Sequence, residues 1–138
     1  MEVIALTGDP HAGKSETLNI VYQLMLWHGY IQVPGHFKVL GNPVMRDFID
    51  VLENGVQRVG IVSQGDYQIG ANSLKNHLLA LQHAGCVKAV CACTNKPGTL
   101  AVVNSYIPHH LVNKTLAATL ALQRIENGKH ASTLYSFI

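Results

Sequence analysis

Charged side chains are scarce in this chain, and those present form no dense cluster of one sign. Asp, Glu, Lys and Arg make up 13% of the 138 residues, and the formal net charge is +2. Globular domains carry about 25% charged residues on average, and proteins that hold a nucleic-acid backbone concentrate Lys and Arg on one face. The composition therefore does not indicate nucleic-acid binding.

Long apolar runs and a disulfide framework are also missing. No run approaches the ~18 apolar residues that a membrane-spanning helix needs, so we expect no membrane association. The opening residues, Met-Glu-Val-Ile, lack the basic segment of a secretion signal. The three cysteines are an odd number and fit a reducing compartment. We therefore expect a cytoplasmic protein.

Apolar residues, in contrast, are plentiful. They make up 48% of the sequence, which is enough for the core of one domain over residues 1–138. A domain of this length with so little charge has apolar surface left to bury, and any sheet edges need cover as well. We therefore expect that the chain can form a homo-oligomer.

The most informative segment is Gly-Asp-Pro-His-Ala-Gly-Lys-Ser at residues 8–15, which has the pattern G-x-x-x-x-G-K-[ST]. It follows a short apolar run, Val3–Leu6, and precedes a stretch with helical periodicity from Ser15 to about Trp27. Glycines let a backbone approach a ligand closely, and the N–H groups of such a loop and of the following helix attract anions. We call Gly8–Ser15 the 8–15 loop.

In these residues the chain resembles the P-loop NTPases. The resemblance implies a nucleoside triphosphate bound with Mg²⁺. It also implies that Lys14 reaches the β- and γ-phosphates and that Ser15 places its hydroxyl on the metal. The residues expected at the nucleotide are Gly8, Asp9, Pro10, His11, Ala12, Gly13, Lys14, Ser15, Glu16, Asn95 and Lys96.

The segment Asn95–Gly98 resembles the base-reading Asn-Lys-x-Asp motif of the GTPases, which also follows a strand. Gly98 stands where those proteins carry the Asp that pairs with guanine. We therefore expect ATP rather than GTP. An ordinary turn before a helix is the favoured interpretation of this segment, in which Lys96 could still contact a base or a phosphate.

Alternating strand and helix patterns predict an α/β fold, a three-layer sandwich with a mainly parallel sheet as in the P-loop NTPase fold. Asn54-Gly55 lies between two strand-like runs, 47–53 and 56–63, and predicts a hairpin that adds one antiparallel strand. Residues 30–46 are expected to be loops around one short strand near 36–40. The remaining expected elements are helices at 71–84, 99–106 and 115–125, strands at 86–93 and 109–112, and, after a break at Asn127-Gly128, a turn or two over 130–137.

Ligands of such sheets bind beyond the carboxyl ends of the parallel strands. Three segments should therefore converge: the 8–15 loop, Ser63–Asp66 and Thr94–Gly98. Asp66 is the first candidate for a catalytic or Mg²⁺-binding carboxylate, and Gln64 or Ser63 could orient a water molecule. An Asp66 that caps the next helix is an equally weighted alternative.

Other acidic residues and the cysteines are weaker candidates. Asp47 and Asp50 belong to the hairpin strand, where alternation can place them on a solvated face. Cys91 and Cys93, with histidines downstream, lack the spacing of common zinc sites, so small apolar packing is favoured.

The supply of arginine bears on the reaction, because the chain has only Arg46, Arg58 and Arg124. Nucleoside monophosphate kinases, which resemble this chain in size, bring several arginines onto the transferring phosphoryl group. Lys14 with Asp66 and Gln64 therefore fits an ATPase, or a phosphotransferase for a small molecule, that is slow or partner-activated. One alternative is a nucleotide-dependent protein-interaction module or oligomeric switch with little catalysis. Another is a structural subunit that has lost binding.

Overall fold

The first strand, β1 (Glu2–Gly8), runs through the interior of a seven-stranded sheet. A computed structural model of the protein describes the backbone of residues 1–138 and all side chains except that of Met45. Residues of β1 from Val3 onward are buried, because helices cover both faces of the sheet here. This double burial explains why the strand is almost continuously apolar.

The other elements follow β1 largely in the predicted order. The additional strand β2 (Ile31–Gln32) was not predicted. None of the helices in the described part of the chain has both the length and the hydropathy of a membrane span. The remaining strands are β3 (Lys38–Val39), β4 (Phe48–Glu53), β5 (Arg58–Val62), β6 (Lys88–Thr94) and β7 (His109–Asn113). The helices are α1 (Lys14–Trp27), α2 (Leu74–His83), α3 (Pro97–Asn104) and α4 (Leu120–Tyr135), with a 3₁₀ turn at Pro43–Met45.

The sheet is mixed, with the strand order β2-β4-β5-β6-β1-β7 and β3 paired to β4 as well. Strands β5, β6, β1 and β7 are parallel neighbours. β4 is antiparallel to β5, β2 and β3, so it alone runs against the others. The predicted α/β class and the hairpin around Asn54-Gly55 are confirmed.

Helices pack on both faces of the sheet, and successive residues of β1 face opposite layers. Val3 belongs to a core cluster that contains Leu78 of α2 and Val103 of α3. Ile4 belongs to a second cluster that contains Leu18 of α1 and residues of α4. The two clusters give three layers, with the carboxyl ends of the parallel strands along one edge of the middle layer.

The prediction for the last helix was wrong. α4 starts at Leu120, after the Thr119 hydroxyl cap, and continues through Asn127-Gly128 without a break. A glycine inside a helix costs about 1 kcal/mol relative to alanine, which the packing of α4 on α1 offsets. Asn127 is buried and donates a hydrogen bond to Glu16 Oε2 at 3.0 Å. This polar side chain therefore connects α4 to α1.

Candidate functional site

The 8–15 loop connects β1 to α1 at the edge where the parallel strands end. The last residue of β1 pairs in register with the last residue of β6, and α1 begins at Lys14. Gly13 precedes the helix with a φ of +87°, and a Cβ there would lie 2.9 Å from Gln123 Nε2. Position 13 therefore requires glycine, both for its left-handed backbone and for the close approach of α4.

The ammonium group of Lys14 lies inside the 8–15 loop. Its Nζ donates hydrogen bonds to the carbonyl oxygens of Gly8 at 3.0 Å and Asp9 at 2.6 Å, and the side chain is buried. Burial lowers the pKa of Lys14, and the negative charge of Asp66 acts in the opposite direction. The result is a poorly hydrated cation beside the free N–H groups of a helix start.

The hydroxyl group of Ser15 contacts Asp47, a weaker candidate from the sequence. Ser15 Oγ donates a hydrogen bond to Asp47 Oδ1 at 2.7 Å, and Ser63 Oγ donates to the same oxygen at 3.0 Å. Ser63 Oγ in turn accepts from the Phe48 N–H at 2.9 Å. Asp47 thus joins the start of α1 to the end of β5.

The direction of β4 explains the position of Asp47. β4 is antiparallel to β5, with Ile49 opposite Val62. The residue that precedes β4 therefore lies at the edge where β5 ends. The position of Asp47 could have been inferred from the predicted hairpin, because an antiparallel strand starts at the edge where the neighbouring parallel strands end.

Asp66 lies at the rim of the site. It is exposed, and its negative charge opposes the lowering of the Lys14 pKa by burial. The alternative role as a cap for α2 is wrong, because the Ser73 hydroxyl accepts the capping hydrogen bond from the Asn76 N–H. Within the described residues, Ser15 is bonded to Asp47 and not to Asp66.

Gln64 and Gly65 are held tightly at the end of β5. Gln64 is buried, and its Oε1 has no hydrogen-bond partner in the described part of the chain. A Cβ on Gly65 would lie 1.7 Å from the Ala92 carbonyl oxygen, and the Gly65 carbonyl accepts from the Thr94 N–H at 3.2 Å. Glycine is therefore needed so that this segment can pack on β6.

The segment after β6 reaches the 8–15 loop through Asn95. Its Nδ2 donates to Asp9 Oδ1 at 3.3 Å, at an exposed position. Lys96 is exposed and forms the N-cap position of α3 without a side-chain capping bond. The structure thus brings Asn95 to the rim of the site, beside the loop, and Lys96 follows it at the start of α3.

The prediction that Asp50 could lie on a solvated face was wrong. β4 is covered on both sides, and Asp50 is fully buried. Its Oδ2 accepts from Tyr22 Oη and Gln32 Nε2, both at 2.9 Å, and its Oδ1 accepts from the Val51 N–H. Burial and the bond to Asp50 raise the pKa of Tyr22 to about 12. Asp50 is therefore occupied by protein donors.

Lys114, which the sequence reasoning missed, also lies at this edge. It follows β7, its N–H donates to the Thr7 carbonyl at 2.7 Å, and its Cβ lies 2.9 Å from where a Cβ of Gly8 would be. Burial lowers its pKa, against the opposing effect of Glu126 and Glu16. The signal that could have found it is its place directly after a parallel strand next to β1.

The remaining loop residues differ in exposure. Pro10 and His11 are exposed, and His11 has a φ of +63°, which is a strained conformation for a residue with a Cβ. Ala12 is buried, with its N–H bonded to the Asp9 carbonyl at 3.2 Å. Strain of this kind persists when the surrounding structure imposes it, and it is frequent at ligand sites.

The oxygen atoms near Ser15 are suitable ligands for a hard cation. The hydroxyl of Ser15 and the carboxylate of Asp47 are oxygen ligands of the kind that Mg²⁺ takes alongside water and phosphate oxygens. In the part of the chain that the structure describes, no group of three or more His, Cys, Asp or Glu side chains could hold a metal ion. The three cysteines are buried and free.

Comparisons of the chain with protein-family models, with curated proteins and with solved structures gave no match.

Proposed function

We propose that the chain binds a nucleoside triphosphate in the 8–15 loop, with the P-loop NTPase fold, and that it hydrolyses or transfers the γ-phosphoryl group. The observation that supports this most strongly is the position of the Lys14 ammonium, bonded to the carbonyls of Gly8 and Asp9 at the start of α1. A desolvated cation beside unpaired helix N–H groups attracts a polyanion. Phosphate oxygens could replace the two carbonyls as hydrogen-bond acceptors.

The residues that would hold Mg²⁺ are Ser15 and Asp47, since their oxygens already share a hydrogen bond. When bound, the metal ion would neutralise charge on the phosphates. Asp66, the carboxylate favoured from the sequence, is exposed and has no hydrogen bond to Ser15 among the described residues. We therefore propose that Asp47 and not Asp66 is the carboxylate nearest the metal, and that Asp66 acts at the rim of the site.

Gln64 is the proposed residue for orienting the attacking water. Its side chain is buried at the end of β5, and its Oε1 has a free acceptor site among the described residues. An amide oxygen of this kind can accept a hydrogen bond from water and hold it in line. Lys96 and Lys114 are further cations described at this edge, but the chain has only three arginines, so we propose slow hydrolysis unless a partner or an acceptor substrate completes the site.

ATP is proposed as the nucleotide in preference to GTP. The segment after β6 lies beside the loop through the contact between Asn95 and Asp9, but Gly98 provides no carboxylate for the guanine N–H groups. We also propose that the protein works in the cytoplasm, where ATP and Mg²⁺ are present and the three free thiols stay reduced.

A nucleotide-dependent interaction module is the second candidate. The observation that favours it is the hydrogen bond from Asn127 to Glu16, which links the first turn of α1 to α4. The outer surface of α4 exposes apolar side chains, among them Leu120 at 80% exposure. A change at the 8–15 loop could therefore alter a surface that a partner contacts.

Titration calorimetry with Mg·ATP and Mg·GTP tests the proposal, with phosphate release measured in parallel. The wild-type chain should bind Mg·ATP, and Lys14→Ala should weaken binding at least about tenfold, since each tenfold change corresponds to about 1.4 kcal/mol. Lys129→Ala is the control, because this exposed lysine on α4 pairs with Glu126 and with no other described side chain. Absence of binding in the wild type, or equal binding by Lys14→Ala, would contradict the proposal. Binding without phosphate release would favour the second candidate.

A further inference from the structure

Strand β7 is an open edge of the sheet with none of the usual protection. It stands at the end of the strand order and pairs only with β1 in the part of the chain described. The opposite edge consists of the two-residue strands β2 and β3, which are too short to recruit another strand. β7 has five residues and contains no Lys and no Pro, the residues that usually protect an edge.

The backbone groups that β7 presents to solvent can be identified from its hydrogen bonds to β1. The Pro108 carbonyl accepts from the Val3 N–H at 3.2 Å, and the Lys114 N–H donates to the Thr7 carbonyl at 2.7 Å. The N–H and C=O groups of alternate residues point to opposite sides of a strand. Even-numbered residues therefore face β1, and the N–H and C=O groups of His109, Leu111 and Asn113 point outward.

The outward N–H and C=O groups of one β7 strand can form hydrogen bonds with the same groups of a second β7 strand. We propose that two copies of the chain associate through their β7 strands, antiparallel, with the two-fold axis at Leu111. In this register Leu111 pairs with Leu111 of the second copy, and His109 pairs with Asn113. Each outward N–H of 109, 111 and 113 then meets an outward C=O, and a shift of two residues in either direction would leave some of them without partners.

Charge and apolar exposure favour a second copy over a charged partner. In a two-fold contact each side chain near the axis meets its own counterpart, so like charges there would repel. The only Asp, Glu, Lys or Arg between residues 97 and 123 is Lys114, which is buried. Leu111 is 45% exposed, and Leu116 and Leu120, in the loop after β7 and at the start of α4, are 64% and 80% exposed.

The dimer would not depend on the proposed nucleotide function. The axis at Leu111 reverses the direction of the second sheet, so the two 8–15 loops lie at opposite edges of one continuous sheet. Neither copy contributes residues to the site of the other. Loss of nucleotide binding in Lys14→Ala should therefore leave the association intact, and loss of the dimer should leave nucleotide binding intact.

Sedimentation equilibrium of the whole chain and of charge variants at Leu111 tests the proposal. The wild type should sediment at twice the mass of one chain. When each variant is measured by itself, Leu111→Lys and Leu111→Glu should each raise the dissociation constant of the dimer at least tenfold. A mixture of the two should recover the dimer, because opposite charges then face each other across the axis. Val56→Lys, at a 90% exposed hairpin position, is the control and should match the wild type.

A second variant distinguishes edge pairing from side-chain contact. Leu111→Pro removes an outward N–H that forms no hydrogen bond with any described residue, and proline is tolerated at edge positions of this kind. We expect this variant to be monomeric and to give the circular dichroism spectrum of the wild type, which would show that it is folded. A monomeric wild type, an unchanged mass for Leu111→Lys or folded Leu111→Pro, or a mixture of Lys and Glu variants that stays monomeric would each overturn the proposal.

Discussion

The hydroxyl of Ser15 and the carboxylate of Asp47 share a hydrogen bond of 2.7 Å, although they are 32 positions apart in the sequence. One belongs to the first turn of α1 and the other immediately precedes the antiparallel strand β4. The contact therefore depends on the topology of the sheet. It also places an acid beside the serine of the 8–15 loop, although β5 is followed directly by Ser63 and not by an acid.

Replacing Asp47 should reduce the contribution of Mg²⁺ to nucleotide binding. Asp47→Asn keeps the size of the side chain and an acceptor for the Ser15 hydroxyl but removes the negative charge that a divalent cation needs. We expect the gain in ATP affinity on adding Mg²⁺ to fall at least about tenfold. Titration calorimetry with ATP in the presence of Mg²⁺ or of a chelator measures this gain.

Asp66→Asn is the matched control for that experiment. This residue is exposed and has no hydrogen bond to Ser15 among the described residues, so its replacement should change the Mg²⁺ contribution by less than about threefold. A loss of Mg²⁺ dependence in Asp66→Asn, with none in Asp47→Asn, would show that Asp66 is the relevant carboxylate after all.

Two glycine replacements should change stability in opposite directions. Gly65→Ala would place a Cβ 1.7 Å from the Ala92 carbonyl oxygen in the middle layer, so we expect a loss of at least about 3 kcal/mol in the free energy of unfolding. Gly128→Ala lies inside α4, and apart from its neighbours in the helix no described atom lies within 4 Å of the new Cβ, so we expect a gain of about 0.5–1 kcal/mol. Urea unfolding measures both, and a destabilised Gly128→Ala would contradict the continuous helix.

Stability at alkaline pH should depend on Tyr22. Its folded pKa of about 12 lies above the ordinary value of 10, so its contribution is fully present below pH 10 and is lost as pH rises through 12. At neutral pH we expect Tyr22→Phe to lose about 1–2 kcal/mol, because Asp50 loses a donor. The difference between the two proteins should shrink between pH 10 and 12. If urea unfolding shows that the difference in unfolding free energy between the two proteins stays constant over this pH range, the raised pKa of Tyr22 is contradicted.

The elements with strong local signals were predictable from sequence. The apolar run of β1, the glycines of the 8–15 loop and Asn54-Gly55 each act through backbone conformation or continuous burial, which a local pattern records. The predicted start of α2 at residue 71 is three residues early, because the helix begins at Leu74 after the Ser73 cap.

The errors concern residues whose environment is set by distant parts of the chain. Asn127-Gly128 is a strong turn signal by itself, and only the packing of α4 against Glu16 of α1 makes it helical. Asp50 alternates as an exposed residue would, but β4 is covered on both faces. Asp47 required knowledge of the direction of β4 relative to β5.

The most direct test of nucleotide binding is a crystal structure of the chain grown with Mg²⁺ and a non-hydrolysable ATP analogue. We expect the triphosphate to lie against the N–H groups of the 8–15 loop, with the Lys14 ammonium moved from the Gly8 and Asp9 carbonyls onto phosphate oxygens, and with Mg²⁺ near Ser15 and Asp47. A loop that stays empty in excess analogue, with Lys14 still bonded to both carbonyls, would contradict the proposed function.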